Sequence, residues 1–200
     1  YDALRARETF ATSGTRIKPR FFGAAGFFAD AADPVAMVEE GYASGVPMGG
    51  DLTGLDAAPS FFVHALADPD GAFLDRIQIV KGTVDADGQV VERIYDVAWS
   101  GDRAPGADGK LPPVGDTVDL EAATYANDIG AGELSALWTD PDFDDSSPAV
   151  YYMRVLEIPT PRWTTYDAVK NGLPLLDGVP ATIQERAWTS PIWYAQGEET

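Results

Sequence analysis

Cysteine is absent from the 200-residue chain, and histidine occurs once, at His64. Without cysteine there is no disulfide, no thiolate metal site and no cysteine nucleophile. Catalytic zinc draws mainly on histidine with carboxylates in support, so one histidine cannot furnish a typical zinc site within these residues. Basic residues are scarce too: 14 Lys and Arg stand against 32 Asp and Glu, a formal net charge of −18. A nucleic-acid binder needs a basic face to neutralise phosphates, so charge excludes nucleic acid as a partner and disfavours anionic membrane surfaces. No apolar run approaches the ~20 residues of a spanning helix, so no membrane insertion is expected. The first residues show neither a basic segment nor an apolar one and hold no signal peptide. Sequence motifs of chemistry are equally lacking. There is no Gly-x-Ser-x-Gly elbow, and the glycine-rich stretch from Gly41 to Gly54 has no lysine with which to cradle a phosphate.

What is present is material for a core. Hydrophobic residues make up 45% and aromatics 11% of the chain, which argues against disorder, and the length suits one domain. Period-two or continuous apolar patterns predict strands at 61–66, 74–84, 90–99, 117–124, 133–138 and 149–158. Of these, 61–66, 77–81, 94–97 and 151–156 are expected at the centre of the fold, with 61–66 buried on both faces. Asp85-Ala86-Asp87-Gly88 reads as a tight hairpin turn. A last strand over 186–194 is interrupted by Pro191, which places it at an edge or a bulge. Helices are predicted over 1–10, from the Asp33-Pro34 start to Gly41 or Gly45, and from a Thr164-x-x-Asp167 capping box to Gly172. The fold class is mainly β: a β-sandwich-like domain with about three short helices and long loops, α+β by content.

Several clusters are candidates for chemistry, and each has a plainer reading. Asp140, Asp142 and Asp144 alternate in a loop and are weak candidates for a calcium-type site. The EF-hand pattern fails there, because its glycine and glutamate positions fall on Asp145 and Tyr151. A solvated acidic loop explains the run as well. His64, between Phe62 and Leu66, reads as a hydrogen-bonded core side chain in preference to a catalyst. Arg154, Arg162 and Arg186, together with Arg16 and Arg20, are conspicuous in so acidic a chain. Arginine clamps planar and tetrahedral anions bidentately, but it also pairs structurally with carboxylates and stacks on aromatics. No catalytic, cofactor or metal-ligating residue is assigned beyond these.

Four stretches carry a family resemblance: Arg7 to Phe22, Gly45 to Gly50, Arg154 to Trp163 (Arg-Val-Leu-Glu-Ile-Pro-Thr-Pro-Arg-Trp) and Glu185 to Tyr194. They resemble, in order, blocks of the PHP-like bacterial family catalogued as domain of unknown function three-six-zero-four. The resemblance implies a longer parent, a metal-dependent hydrolase of phosphoesters or related esters, whose N-terminal barrel binds divalent metal upstream of Tyr1. Residues 1–22 would then be the tail of that barrel, its last helix and exit strand, and 23–200 a C-terminal β-sandwich-like domain. On this reading the residues in hand are an accessory domain, inactive alone, without a cofactor of their own. Their partner would be the barrel of the same protein, and a periplasmic or secreted location is implied by the family. An alternative is a glycan- or calcium-binding β-sandwich module. Tyr1, Leu4, Phe10, Phe21, Phe22, Phe27 and Phe28 are expected to be poorly shielded, leaving self-association through the N-terminal segment as one outcome.

Overall fold

The computed structural model describes residues 1–27, 29, 30 and 32–196. Among these the chain order is α1 (Asp2–Arg5), β1 (Phe10–Thr12), β2 (Lys18–Ala24), α2 (Pro34–Ser44), β3 (Val46–Pro47), β4 (Asp51–Thr53), β5 (Ser60–Leu66), β6 (Leu74–Val84) and β7 (Val90–Trp99). Then follow β8 (Glu133–Thr139), β9 (Ala149–Glu157), β10 (Thr160–Pro161), α3 (Trp163–Asn171), β11 (Thr182–Ile183), β12 (Arg186–Thr189) and β13 (Ile192–Ala195). Strands dominate, as the sequence pattern requires.

Two sheets face each other. One has four antiparallel strands in the order β3-β2-β5-β8. The other has seven strands and centres on β9. Its one edge pairs with β6, which carries β7, while its other edge pairs with β12 along one half and β13 along the other. Beyond these lie β1, antiparallel to β12, and β4, parallel to β13. Alternation along the strands sends Phe61, Val63 and Ala65 of β5, Ile77 and Ile79 of β6, and Tyr151, Met153 and Val155 of β9 into one shared core. Phe61 joins the sheets: its ring lies 5.6 Å from that of Phe21 and 4.5 Å from that of Tyr151.

The opposite face of β5 is buried as well, because α2 covers it. Phe22, Phe62 and Met37 form this second cluster. Helix α2 starts as the sequence reading expects: the Asp33 carboxylate accepts from the Val35 and Ala36 N–H groups, each at 3.1 Å. Gly41 lies inside the helix and does not end it. A Cβ there would stand 2.6 Å from the Phe22 ring, so glycine is what lets the helix sit this close to the sheet. Gly172, at φ +63°, ends α3 in the left-handed region, again as expected.

Several expectations need correction. The opening helix is four residues long, stopped where Arg7 adopts φ +60° and Thr9 O turns to accept the Ser190 N–H. Residues 117–124 are not a strand. The Asp116 and Asp119 carboxylates bind the N–H groups that follow them, which folds the segment into turns closed by one Asp119–Thr124 bridge. No capping box forms at Thr164, because the helix cap is Arg162, two residues earlier, and the Thr165 hydroxyl donates to Ala181 O. Among the described residues strand β7 pairs with β6 alone and is therefore an edge, so 94–97 is not central. The Pro191 break lies inside the sheet, since β12 and β13 both have partners on two sides.

Candidate functional site

The acidic loop between β8 and β9 is tied down by side chains of the sheets. Asp140 is buried. Its Oδ2 accepts from Lys81 Nζ at 2.6 Å and from the Tyr151 hydroxyl at 2.7 Å, while its Oδ1 accepts the Asp142 N–H. Lys81 Nζ also donates to Asp142 O. The Asp142 carboxylate accepts from the Tyr95 hydroxyl at 2.7 Å and pairs with Arg93 at 2.9 Å; these two groups hold its carboxyl below the usual range. Asp144 binds Ser146 and Ser147, which lower its carboxyl likewise. The three aspartates thus serve three different sets of partners. Among the described residues no group of three His, Cys, Asp or Glu side chains could hold a metal ion. Beside the loop lies an open cleft of about 460 Å³, lined by Lys81, Arg93, Asp142, Asp144 and Ser147 among others.

His64 is buried, with Nε2 donating to Glu133 Oε1 at 2.7 Å, its ring parallel to that of Phe62, and Nδ1 without a partner. Arg16 clamps Asp68 through its side chain and backbone N–H, and this holds the Asp68 carboxyl far below its ordinary value. That turn is therefore an ion-paired structural element.

The three arginines divide. Strand register brings Arg154 and Arg186 to the outer face of the seven-stranded sheet, with Trp188 opposite Arg154 and Arg186 opposite Leu156. Arg154 Nε donates to Gln78 Oε1 at 2.8 Å, and Arg186 Nε to Gln184 O at 3.2 Å. Arg162 stands apart at the start of α3, its Nε buried without a partner.

Sequence reasoning overlooked two buried acids: Asp75, which Arg76 and Arg103 hold, and Glu157. Glu157, the last residue of β9, is 1% exposed, and its Oε1 has no hydrogen-bond partner. Burial pushes its carboxyl up to about 7, and the Glu185 and Asp68 carboxylates add to the rise. The signal was in the alternation: Tyr151, Met153 and Val155 all point inward, so Glu157 must as well.

Apolar surface lies open in several places, Val84, Val90 and Trp193 among them, and two of these places are the N-terminal segment and the region around α3. Tyr1 and Leu4 are 88% and 73% exposed, and Phe10 is partly so. Phe21 and Phe22, by contrast, are fully buried in the domain's own core, because β2 pairs with β5 along its whole length. Phe27 is half-buried, and Phe28 lies outside the described residues. The second place follows from α3. Every residue of 171–180 is exposed, and Trp163, Leu173 and Leu176 present 67%, 62% and 58% of their surface.

No curated protein matches the chain, and no solved structure does. A family model described as a protein of unknown function, DUF3604, matches residues 1–196, and the chain belongs to that family.

Proposed function

We propose that these residues form an accessory β domain of a PHP-like, metal-dependent hydrolase of phosphoesters or related esters, and that catalysis resides in a barrel N-terminal to residue 1. The observation that carries this reading is a contrast in how side chains are employed. Groups able to do chemistry, such as Asp140, Asp142 and His64, are engaged in holding the sandwich. Large apolar groups, such as Tyr1, Leu4, Trp163, Leu173 and Leu176, are left in water, where a contiguous patch favours a partner surface. An accessory domain needs this distribution, whereas a self-sufficient enzyme needs the reverse. The family resemblance supplies the identity of the partner and the divalent metal it would hold.

The test compares the isolated domain with the longer protein. The domain alone should hydrolyse no phosphoester above background, with or without manganese or zinc. Amide exchange at 1–6 and 163–180 should slow when the barrel is attached. Metal-dependent turnover by the domain alone, abolished by His64→Ala, would overturn the proposal. Unchanged exchange at both segments would remove its docking surface.

A further inference from the structure

Two arginines on the outer face of the seven-stranded sheet are held ready for an anion that no described residue supplies. Arg76 and Arg103 show how this fold satisfies a structural arginine. Arg76 donates to Asp75, Asp96 and Pro112 O, and Arg103 to Asp75, Ser100 and Pro112 O, so the terminal nitrogens of both are occupied by acceptors that include a carboxylate. Arg154 and Arg186 differ. Each uses Nε on a neutral acceptor, Gln78 Oε1 or Gln184 O. Among the described residues their terminal nitrogens have no hydrogen-bond partner and neither forms an ion pair.

Both side chains are nonetheless fixed in place. Gln78 is held by donating to Asp96 Oδ1 at 2.8 Å, and Asp96 Oδ2 is in turn taken by Arg76. That chain anchors Arg154. Arg186 lies over the Trp188 ring, 5.9 Å from its centre. The register places Arg154 opposite Trp188 and Arg186 opposite Leu156, so the two arginines are diagonal neighbours on one face, about 7–8 Å apart at the backbone. Both are partly exposed. Two like charges this close repel each other, and a chain with 32 acidic side chains has carboxylates in excess to neutralise them. Among the described residues neither arginine takes one.

We propose that Arg154 and Arg186 form an oxyanion site for a phosphoryl group. A single carboxylate saturates one guanidinium fork, whereas two forks carrying four free terminal nitrogens match a tetrahedral dianion with three or more acceptor oxygens. The group is either free phosphate or the phosphoryl end of an ester.

Titrating the domain with sodium phosphate, at constant ionic strength set by chloride, tests this through the arginine Nε–H resonances. The Arg154 and Arg186 signals should shift saturably at millimolar phosphate, and acetate should produce no saturable shift. Glycerol phosphate separates the sources: binding at least tenfold tighter than phosphate assigns the site to an ester, and equal binding assigns it to the free ion. Arg154→Lys and Arg186→Lys keep the charge and lose the fork, so each should weaken binding at least tenfold at an unchanged melting temperature. The proposal is overturned if shifts fail to saturate, fall on other arginines, appear equally with acetate, or persist at full affinity in the folded lysine variants. Should a variant not fold, the pattern of wild-type shifts decides alone.

Discussion

Strand β9 has a buried carboxylate near each end, and the ends treat it in opposite ways. Near Ala149, Asp140 receives Lys81 Nζ, the Tyr151 hydroxyl and a backbone N–H. Its charge is compensated and its lone pairs are used. The cost of sharing appears on the partner, since burial and the adjacent Asp140 drive the Tyr151 hydroxyl well above its ordinary value. At the far end, Glu157 meets no cation among the described residues. The Thr15 hydroxyl is the one neighbour that favours its ionised form, and that oxygen forms no hydrogen bond of its own. Both acids are removed from water to nearly the same degree. What separates them is the company they keep: a cation, a hydroxyl and a backbone N–H surround Asp140, whereas burial raises the carboxyl of Glu157.

Removing the cation from the paired end should have the largest effect. Lys81→Met leaves Asp140 buried and uncompensated, so urea unfolding should show a loss of about 3–5 kcal/mol at pH 7. A loss below about 1 kcal/mol would erase the distinction between the ends. Glu157→Gln probes the other end through pH. The folded value, about 7, lies above the ordinary 4.5, so the unfolded chain releases this proton first. The contribution of the neutral carboxyl is therefore complete below about pH 4.5 and declines as pH rises toward 7. Between those limits the stability of the wild type relative to Glu157→Gln should fall by on the order of 3 kcal/mol. A difference that stays flat with pH would mean that Glu157 remains ionised in the fold. Tyr151→Phe deletes one of the donors to Asp140 and leaves Lys81, so chemical denaturation should register about 1–2 kcal/mol. Asp142→Asn, which weakens the outer contacts to Tyr95 and Arg93, should leave the melting temperature nearly unchanged, because exposed pairs contribute little.

Much of the fold was legible because local chemistry and burial agreed. Strands β6 and β7 fall on the expected bounds, since alternation on both sides of Asp85-Ala86-Asp87-Gly88 leaves one register for the hairpin. The Asp33-Pro34 start of α2 was equally plain. Where tertiary contacts decided, the reading failed. Nothing local says that 117–124 prefers aspartate-capped turns to a ladder, or that the opening helix yields after Arg5 to a backbone bond with Ser190. The same limit applies to sites. The arginines were visible as residues, but only register shows that Arg154 and Arg186 meet while Arg162 does not. Lys81 went unremarked even though it follows Ile77 and Ile79 at inward-facing positions, where a cation implies a buried anion.

The break at Pro191 bears on how the chain reaches this fold. Among the described residues of the larger sheet, β1 pairs only with β12 and β4 only with β13, so these two segments wait for one that follows far later in the chain. Phe10 ends up opposite Thr189, and Asp51 opposite Trp193. During synthesis the β6–β7 hairpin and its pairing with β9 can form early, because their partners are already present or follow soon after. The free edge of β9, with a row of unpaired amides and carbonyls, stays open until residues 186–195 emerge and slot between it and the N-terminal strands. Such non-local closure slows folding and prolongs the exposure of an adhesive edge. Residues 186–195 therefore act as the clasp of the domain, and a growing chain gains its full cooperativity only once that clasp has been made.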